Sequence, residues 1–447
     1  MNKRLFGTDG IRAVAGASPL DEPTVRLFGL ALAKRLARNG APARIVLGRD
    51  TRESGPWLRD AVAAGILAAG GEAVDVGVIT TPGLAWIVRH DAFDAGVMIS
   101  ASHNPFADNG LKVFGADGTK LPDTLECEIE ALILDSGAAD PGASANGWRA
   151  GEKLIEGYVQ HVSASVTPAR LDGLRIALDC ANGSASELGP KIFRALGAEV
   201  HTIGIEPDGR NINLDCGSLH LDQLATFVAE KGCDVGLAFD GDADRCLAVD
   251  RRGRMIDGDA ILFITGRELK RRGELPGDAV VATIMSNFWL EERLRAEGVE
   301  LHRAKVGDKY VLEQMHDNNL SLGGEQSGHV IFREQATTGD GILTGLRLID
   351  AVLGSGESLD QIIDGIKPYP QELINVRVND KPDLRAHPVI GPAVEDVERQ
   401  LGDSGRVVLR YSGTEPLVRV MLEGKDPTRI RALTEQLAAV IEKTIGS

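Results

Sequence analysis

Three stretches of this chain repeat one pattern. RIVLGRDTRESG (44–55) leads into an apolar helical stretch and then AAGGEAVDVGVI. RIALDCANGSAS (175–186) leads into KIFRALGAEVHTIGI, and AVVATIMSN (279–287) into WLEERLRAEGVELHRAKV. Each has a β-branched run, a polar turn, an amphipathic helix, a glycine and a second short strand with an acidic residue near its start. A strand, a crossover helix stopped by glycine and a second strand form the βαβ unit of a parallel sheet. Used three times, it predicts three similar α/β domains in series, and 447 residues give room for them.

After IKPYPQE (366–372), where two prolines stop helix continuation, the pattern changes. It becomes strand INVRV, a helix near 389–401, strands RVVLRYS and LVRVMLE, and a closing helix with Ile430, Leu433, Leu437 and Ile441 on one face. The last domain is therefore α+β, smaller, and not a fourth copy. The expected boundaries are 1–150, 151–254, 255–367 and 368–447. DSGAADPGASANG (135–147) reads as a linker and DRRGRMIDGD (250–259) as a charged turn. Abundant Gly and Ala with only 4% aromatics suit α/β layers joined by tight turns.

The net charge of −16 gives no general attraction to nucleic acid or anionic membrane, so positive charge for an anionic ligand must come from a few placed side chains. Cys127, Cys180, Cys216, Cys233 and Cys246 are scattered without a C-x-x-C pair, which reads as thiols in a reducing compartment. MNKRLFGTDGIR lacks an apolar signal core, and the most apolar stretch (61–79) is broken by Glu72 and Asp75, so the expected location is the cytoplasm with no membrane span.

The strongest chemical signal is DVGLAFDGDADRCLAVD (234–250). Asp240, Asp242 and Asp244 follow an apolar strand at alternating positions, which share a face if the backbone stays extended. Carboxylates about 4 Å apart repel by roughly 4 kcal/mol at an effective dielectric near 20. A hard cation relieves this, and three oxygens without His or Cys suit Mg²⁺. An EF-hand is excluded, because Arg245 and Arg251 stand where its Gly and Glu belong. The competing reading is a solvated acidic turn paired with Arg245. In GVMISASHNPFADNG (96–110) another buried strand ends on Ser100 and Ser102, and either is a turn residue or a phosphoryl acceptor able to complete the metal's shell.

SASHNP and DGDADR, together with FGTDGIR (6–12), GEQSGH (324–329) and RYSGTEP (410–416), resemble in order and across nearly the whole chain the α-D-phosphohexomutase superfamily, specifically its bacterial branch acting on amino sugars. The resemblance implies three similar α/β domains plus a smaller C-terminal α+β domain, with the active cleft between them. It also selects Ser102 as the phosphorylated serine, with Ser102, Asp240, Asp242 and Asp244 holding one Mg²⁺. The implied reaction interconverts glucosamine 6-phosphate and glucosamine 1-phosphate through a hexosamine 1,6-bisphosphate, supplying amino sugar for UDP-N-acetylglucosamine and cell-wall synthesis. A small phosphosugar is the implied partner, and a homodimer is what the family suggests.

By the same resemblance Glu325 and Ser327 hold sugar hydroxyls, and Arg410, Ser412, Gly413 and Thr414 hold the phosphate that is not reacting, with Arg419 as a further contact; His329 is either a phosphate contact or a satisfied structural imidazole. Arg12, His103, Asn104, Lys112 and Arg245 support the site. Arg12, His103 and Lys112 are suited to proton transfer, to steadying the phosphoryl group or to support alone, and none is singled out as the general base. Ala13 and Tyr411 depart from the family's usual Gly and Pro without removing a charge or ligand. Gln326 stands where neutral-hexose mutases, the alternative within the family, commonly have Met. A metal-dependent phosphatase would leave the ordered phosphate and sugar loops unexplained, and a non-catalytic sugar-phosphate binder would not need Ser102.

Overall fold

The computed structural model describes residues 5–7, 9–38, 41–135, 147–166, 171–412 and 415–446, so most of the expected linker at 135–147 lies outside the described residues. The first sheet contains β1 (Ile11–Val14), β2 (Arg44–Arg49), β3 (Glu72–Val78), β4 (Ala95–Ile99), β5 (Asp108–Gly115) and β6 (Arg149–Ala150), in the order β1-β5-β4-β2-β3-β6. The second contains β7 (Arg175–Asp179), β8 (Glu199–Ile203), β9 (Val235–Phe239), β10 (Cys246–Asp250) and β11 (Met255–Ile256), in the order β11-β10-β9-β7-β8. The third contains β12 (Ala279–Thr283), β13 (Glu300–Ala304), β14 (Leu322–Gly324) and β15 (Val330–Phe332), in the order β13-β12-β14-β15. The three expected repeats are thus three sheets, each with its crossover helix: Gly55–Ala68, Ala185–Ala195 and Phe288–Ala296.

A common device recurs in all three sheets. A strand lies parallel to the one that opens its repeat, then the chain loops out at its C-terminal end and returns antiparallel. The pairs are β4 then β5, β9 then β10, and β14 then β15. The loops so placed hold Ser102, the three aspartates and the Glu325–Ser327 turn. Loops at the carboxyl ends of parallel strands are where open α/β sheets bind ligands. One topological step repeated three times thus yields three differently equipped loops.

The chain packs as two compact units, residues 1–283 with 302–363, and residues 284–301 with 364–447. In the second unit β16 (Gln371–Arg377), β17 (Gly405–Tyr411) and β18 (Leu417–Gly424) form an antiparallel sheet in the order β16-β18-β17. Helices Ile390–Leu401 and Pro427–Ile445 pack on it. Ile430, Leu433, Leu437 and Ile441 all join Val394, Val420 and Leu422 in its core, as their spacing predicts. The crossover helix Phe288–Ala296 belongs to this unit, where Asn287 and Tyr369 exchange two hydrogen bonds (3.0 and 3.1 Å).

In the first unit, Tyr158 joins all three repeats. Its hydroxyl donates to Asp340 Oδ2 (3.0 Å) and accepts from Thr80 Oγ1 (3.4 Å). Thr80 and Asp340 in turn cap helices Thr81–His90 and Gly341–Ser355. Burial pushes the Asp340 carboxyl up to about 6. A raised folded-state value means stability that is complete below the unfolded pKa near 3.8 and is lost as pH rises through about 6. Asp340→Asn keeps a capping oxygen and cannot ionise. Relative to that variant, the wild type is expected to lose up to ~3 kcal/mol between pH 4 and 6.5, measured by denaturant unfolding. A pH-independent difference between the two proteins counts against the assignment.

Candidate active site

The aspartate loop leaves β9 as a turn and not as continued strand. The backbone is already irregular at Asp240, and Ala243 is left-handed (φ 54°). The shared-face argument from extended spacing is therefore corrected: the turn brings the carboxylates together. Asp240, Asp242 and Asp244 are all buried, with one oxygen of each within 4.8 Å of the others. Asp242 Oδ1 and Asp244 Oδ1 accept no hydrogen bond, although buried carboxylate oxygens are costly to leave unmatched. An all-oxygen cluster with unused oxygens fits a hard divalent cation.

Burial first, and then Asp244 and Asp242, push Asp240 well above the usual carboxylate range. Burial works to raise Asp244, but the Lys112 ammonium and the Arg245 guanidinium outweigh it and hold this carboxyl well below that range. The Lys112 ammonium lies 2.7 Å from Asp242 Oδ2 and 3.2 Å from Asp244 Oδ2, and Thr81 Oγ1 also donates to Asp242. Gly241 passes so close to the Ser102 carbonyl that a Cβ would lie 2.6 Å from it, so the two loops meet only with glycine there.

Ser102 also sits in left-handed backbone (φ 53°) after β4 ends at Ile99. Its Oγ donates to Asp240 Oδ2, and its N–H donates to Ser100 Oγ (2.9 Å). Ser100 in turn donates to Asp50 (2.6 Å), so it supports the loop from beneath. The main support of this loop is Arg52, fully buried and paired with Asp50 (2.9 Å). Its guanidinium donates to the carbonyls of Ser102 (2.9 Å), Asn104 (2.8 Å) and Pro105. Asn213 donates to the Ser102 and Asn104 carbonyls from the second repeat.

Among the expected supporting residues, His103 Nδ1 lies 3.4 Å from Ser102 Oγ. Burial, then Arg245 and Arg12, push its imidazole down to about 4. Asn104 is turned to Asp108 (3.0 Å), Arg12 pairs with Asp9, and the Arg245 N–H donates to Asp240 (3.1 Å). Glu325 Oε1 accepts from the Gly307 N–H (2.9 Å), and Ser327 Oγ donates to Glu325 Oε2 (3.4 Å). His329 is buried, with Nδ1 3.7 Å from Asp244, beyond hydrogen-bond range. Burial lowers its proton affinity, while Asp244, Asp308 and Glu325 raise it overall. The Gly339 N–H nevertheless points at His329 Nε2 (2.9 Å), which requires a neutral ring with its proton on Nδ1.

In the second unit, Arg410 and Arg419 stand directly opposite each other on β17 and β18. Neither forms an ion pair among the described residues, and Arg419 Nε is buried without a hydrogen bond. Like charges facing across a strand pair repel, and an anion resolves that conflict. Ser412 Oγ accepts from the Glu415 N–H (3.3 Å), while Gly413 and Thr414 lie outside the described residues. Asp9, Asp50, Arg52, Thr81, Lys120, Asn213 and Asp308 were not legible as site residues. Only FGTDGIR and GRDTRE, dense in charge beside a strand, hinted at two of the pairs.

Four profiles of phosphoglucomutase/phosphomannomutase match in succession: α/β/α domain I over residues 3–139, domain II over 156–253, domain III over 257–369 and the C-terminal domain over 373–440. A phosphoglucosamine mutase from Solibacter usitatus is 49% identical over 100% of both chains. One from Symbiobacterium thermophilum is 48% identical over 98% of both. The crystal structure of a phosphoglucomutase/phosphomannomutase family protein from Burkholderia thailandensis has the same fold, with a TM-score of 0.80 at 23% identity over 99% of this chain and 98% of that one.

Proposed function

This chain belongs to the phosphoglucomutase/phosphomannomutase family, and from that premise we propose that it interconverts glucosamine 6-phosphate and glucosamine 1-phosphate through a phosphorylated Ser102. The end-to-end relatives bear that activity in their names. The observation that carries the mechanism is the Ser102 hydroxyl seated on Asp240, in a cluster where Asp242 and Asp244 each keep an oxygen free.

The phosphoryl group passes from Ser102 to a free sugar hydroxyl, so the bond from phosphorus to Ser102 breaks as the bond to the sugar forms. The result is a 1,6-bisphosphate. The sugar then reverses, and its other phosphate returns to Ser102. Such transfers depend on positioning and charge neutralisation. A Mg²⁺ held by Asp240, Asp242 and Asp244 supplies part of that neutralisation when bound. Burial opposes the Lys112 ammonium, but Asp242, Asp9 and Asp244 raise its pKa well above its ordinary value. It therefore stays charged and steadies phosphoryl oxygens. His103, neutral at pH 7, is the adjacent group in a form that accepts the hydroxyl proton. Glu325 and Ser327 hold sugar hydroxyls, and Arg410 with Arg419 and Ser412 hold the distal phosphate. Gln326 donates its amide to Asp257 (3.1 Å), leaving its carbonyl as an acceptor suited to an amine at C2.

The test is turnover of Ser102-phosphorylated protein with Mg²⁺ on glucosamine, glucose and mannose phosphates at matched concentrations. A strong kcat/KM preference for glucosamine phosphate is expected. Equal or better turnover of glucose or mannose phosphate overturns the substrate assignment, and release of inorganic phosphate without isomerisation overturns the mutase reading.

Metal binding has a separate readout. Titrating Mg²⁺ into chelator-treated protein is expected to raise the melting temperature, with about 2.7 kcal/mol of stabilisation at a hundred times Kd. Asp242→Asn removes that shift. An unshifted wild-type melt argues against the site.

A further inference from the structure

Five charged side chains and the His329 imidazole close a circuit behind the site. Lys112 lies 3.2 Å from Asp244 and 3.3 Å from Asp9, while Lys120 lies 2.6 Å from both Asp9 and Asp308. Asp308 approaches His329 Nε2 at 3.5 Å, and His329 Nδ1 faces Asp244 at 3.7 Å. Residues 9, 112 and 120 come from the first repeat, 244 from the second, and 308 and 329 from the third. The Lys112 side of the circuit serves the carboxylate cluster. The Lys120 side has no place in the chemistry described above, yet its ammonium joins two carboxylates 299 positions apart in the chain.

What Lys120 holds is informative. Asp308 is the first residue of helix Asp308–Asp317, directly after Gly307, whose N–H fixes Glu325 Oε1 at 2.9 Å. Gly307 has φ 124°, a conformation that side chains rarely adopt, so this turn is not held by ordinary local preference. Just before it, Val306 is exposed and the Lys305 ammonium lies 5.7 Å from the Tyr310 ring centre. The only strong ionic anchor of this turn among the described residues is Asp308 on Lys120, and Lys120 is only 19% exposed. An ion pair so shielded positions its partners more firmly than a surface pair.

We propose that Lys120 is a positioning residue for sugar recognition: through Asp308 it fixes the 305–308 turn, whose Gly307 amide aims the Glu325 carboxylate at the substrate. This rests on Glu325 being a sugar ligand, as the functional reading has it. Lys120 touches neither the reacting atoms nor the carboxylates of the metal cluster.

The experiment uses the full-length phosphorylated enzyme with Mg²⁺ and whichever hexose phosphate the wild type turns over best. Lys120→Met is expected to raise KM about tenfold while kcat falls less than about threefold, the loss of a well-aimed charged hydrogen bond in binding. Lys120→Arg, which keeps the charge and reach, restores most of KM. Asp308→Asn reproduces the KM effect, and the double variant is no worse than the poorer single one. Unchanged KM in Lys120→Met overturns the proposal, as does a fall in kcat at constant KM. Amide hydrogen exchange over 305–308 provides a readout independent of turnover. Faster exchange there in Lys120→Met, restored by Lys120→Arg, is expected. Unaltered exchange overturns the proposal even if no hexose phosphate is a substrate, an outcome that by itself defeats only the functional reading. Should Lys120→Met unfold, the Arg variant and Asp308→Asn give the same decision.

Discussion

Ser102→Ala is expected to lose mutase turnover by a factor on the order of 10⁴ or more, because removing a nucleophile eliminates the step itself and not merely one stabilising contact. The backbone of the loop does not depend on the hydroxyl. Arg52 and Asn213 hold the Ser102 carbonyl, and Ser100 holds its N–H. The variant should therefore fold, bind hexose phosphate with little change and yield no phosphorylated form by intact mass. Ser100→Ala separates chemistry from support. It removes the acceptor for the Ser102 N–H and the donor to Asp50, so a smaller loss with phosphorylation retained is expected. Full turnover by Ser102→Ala would end the phosphoserine mechanism whatever the substrate.

The second large effect falls on a residue that touches no substrate. Arg52→Met leaves the Asp50 carboxylate buried without its counter-ion, and the carbonyls of Ser102, Asn104 and Pro105 lose a donor. Breaking a buried pair from one side costs roughly 3–5 kcal/mol. A clear fall in the unfolding midpoint is expected, with faster amide exchange across 100–105 and loss of activity. Asp50→Asn added to Arg52→Met should recover part of the stability by removing the stranded charge. Arg52→Lys should recover little, since an ammonium cannot reproduce the planar guanidinium that spans three carbonyls and a carboxylate. An unchanged midpoint in Arg52→Met contradicts this account.

The repeats were legible because a βαβ unit writes its periodicity into a short run, and each predicted crossover helix and flanking strand pair is present. The C-terminal sheet and its closing helix were legible for the same reason. Asp240, Asp242 and Asp244 stood out by composition, but the geometry inferred from their spacing did not hold. The left-handed Ala243 that converges them leaves no mark in an Ala codeable anywhere. Arg52, Lys120 and Asp308 were hidden for another reason. Apart from Asp50, two positions from Arg52, the groups they hold lie about 50 to 190 positions away, and an isolated Arg or Lys looks the same in sequence whether it faces water or closes a buried circuit. Long-range ion pairs have no period.

The left-handed backbone at Ser102 also restricts which hydroxyl amino acid can stand there. A positive φ is tolerated by a small unbranched side chain, whereas a β-branched one crowds its own backbone. Threonine has the same nucleophilic oxygen, but here its extra methyl group would press against a chain turned the wrong way for it. Of the two chemically equivalent alcohols, the fold admits one, so the choice of serine over threonine is made by backbone handedness before any phosphate arrives.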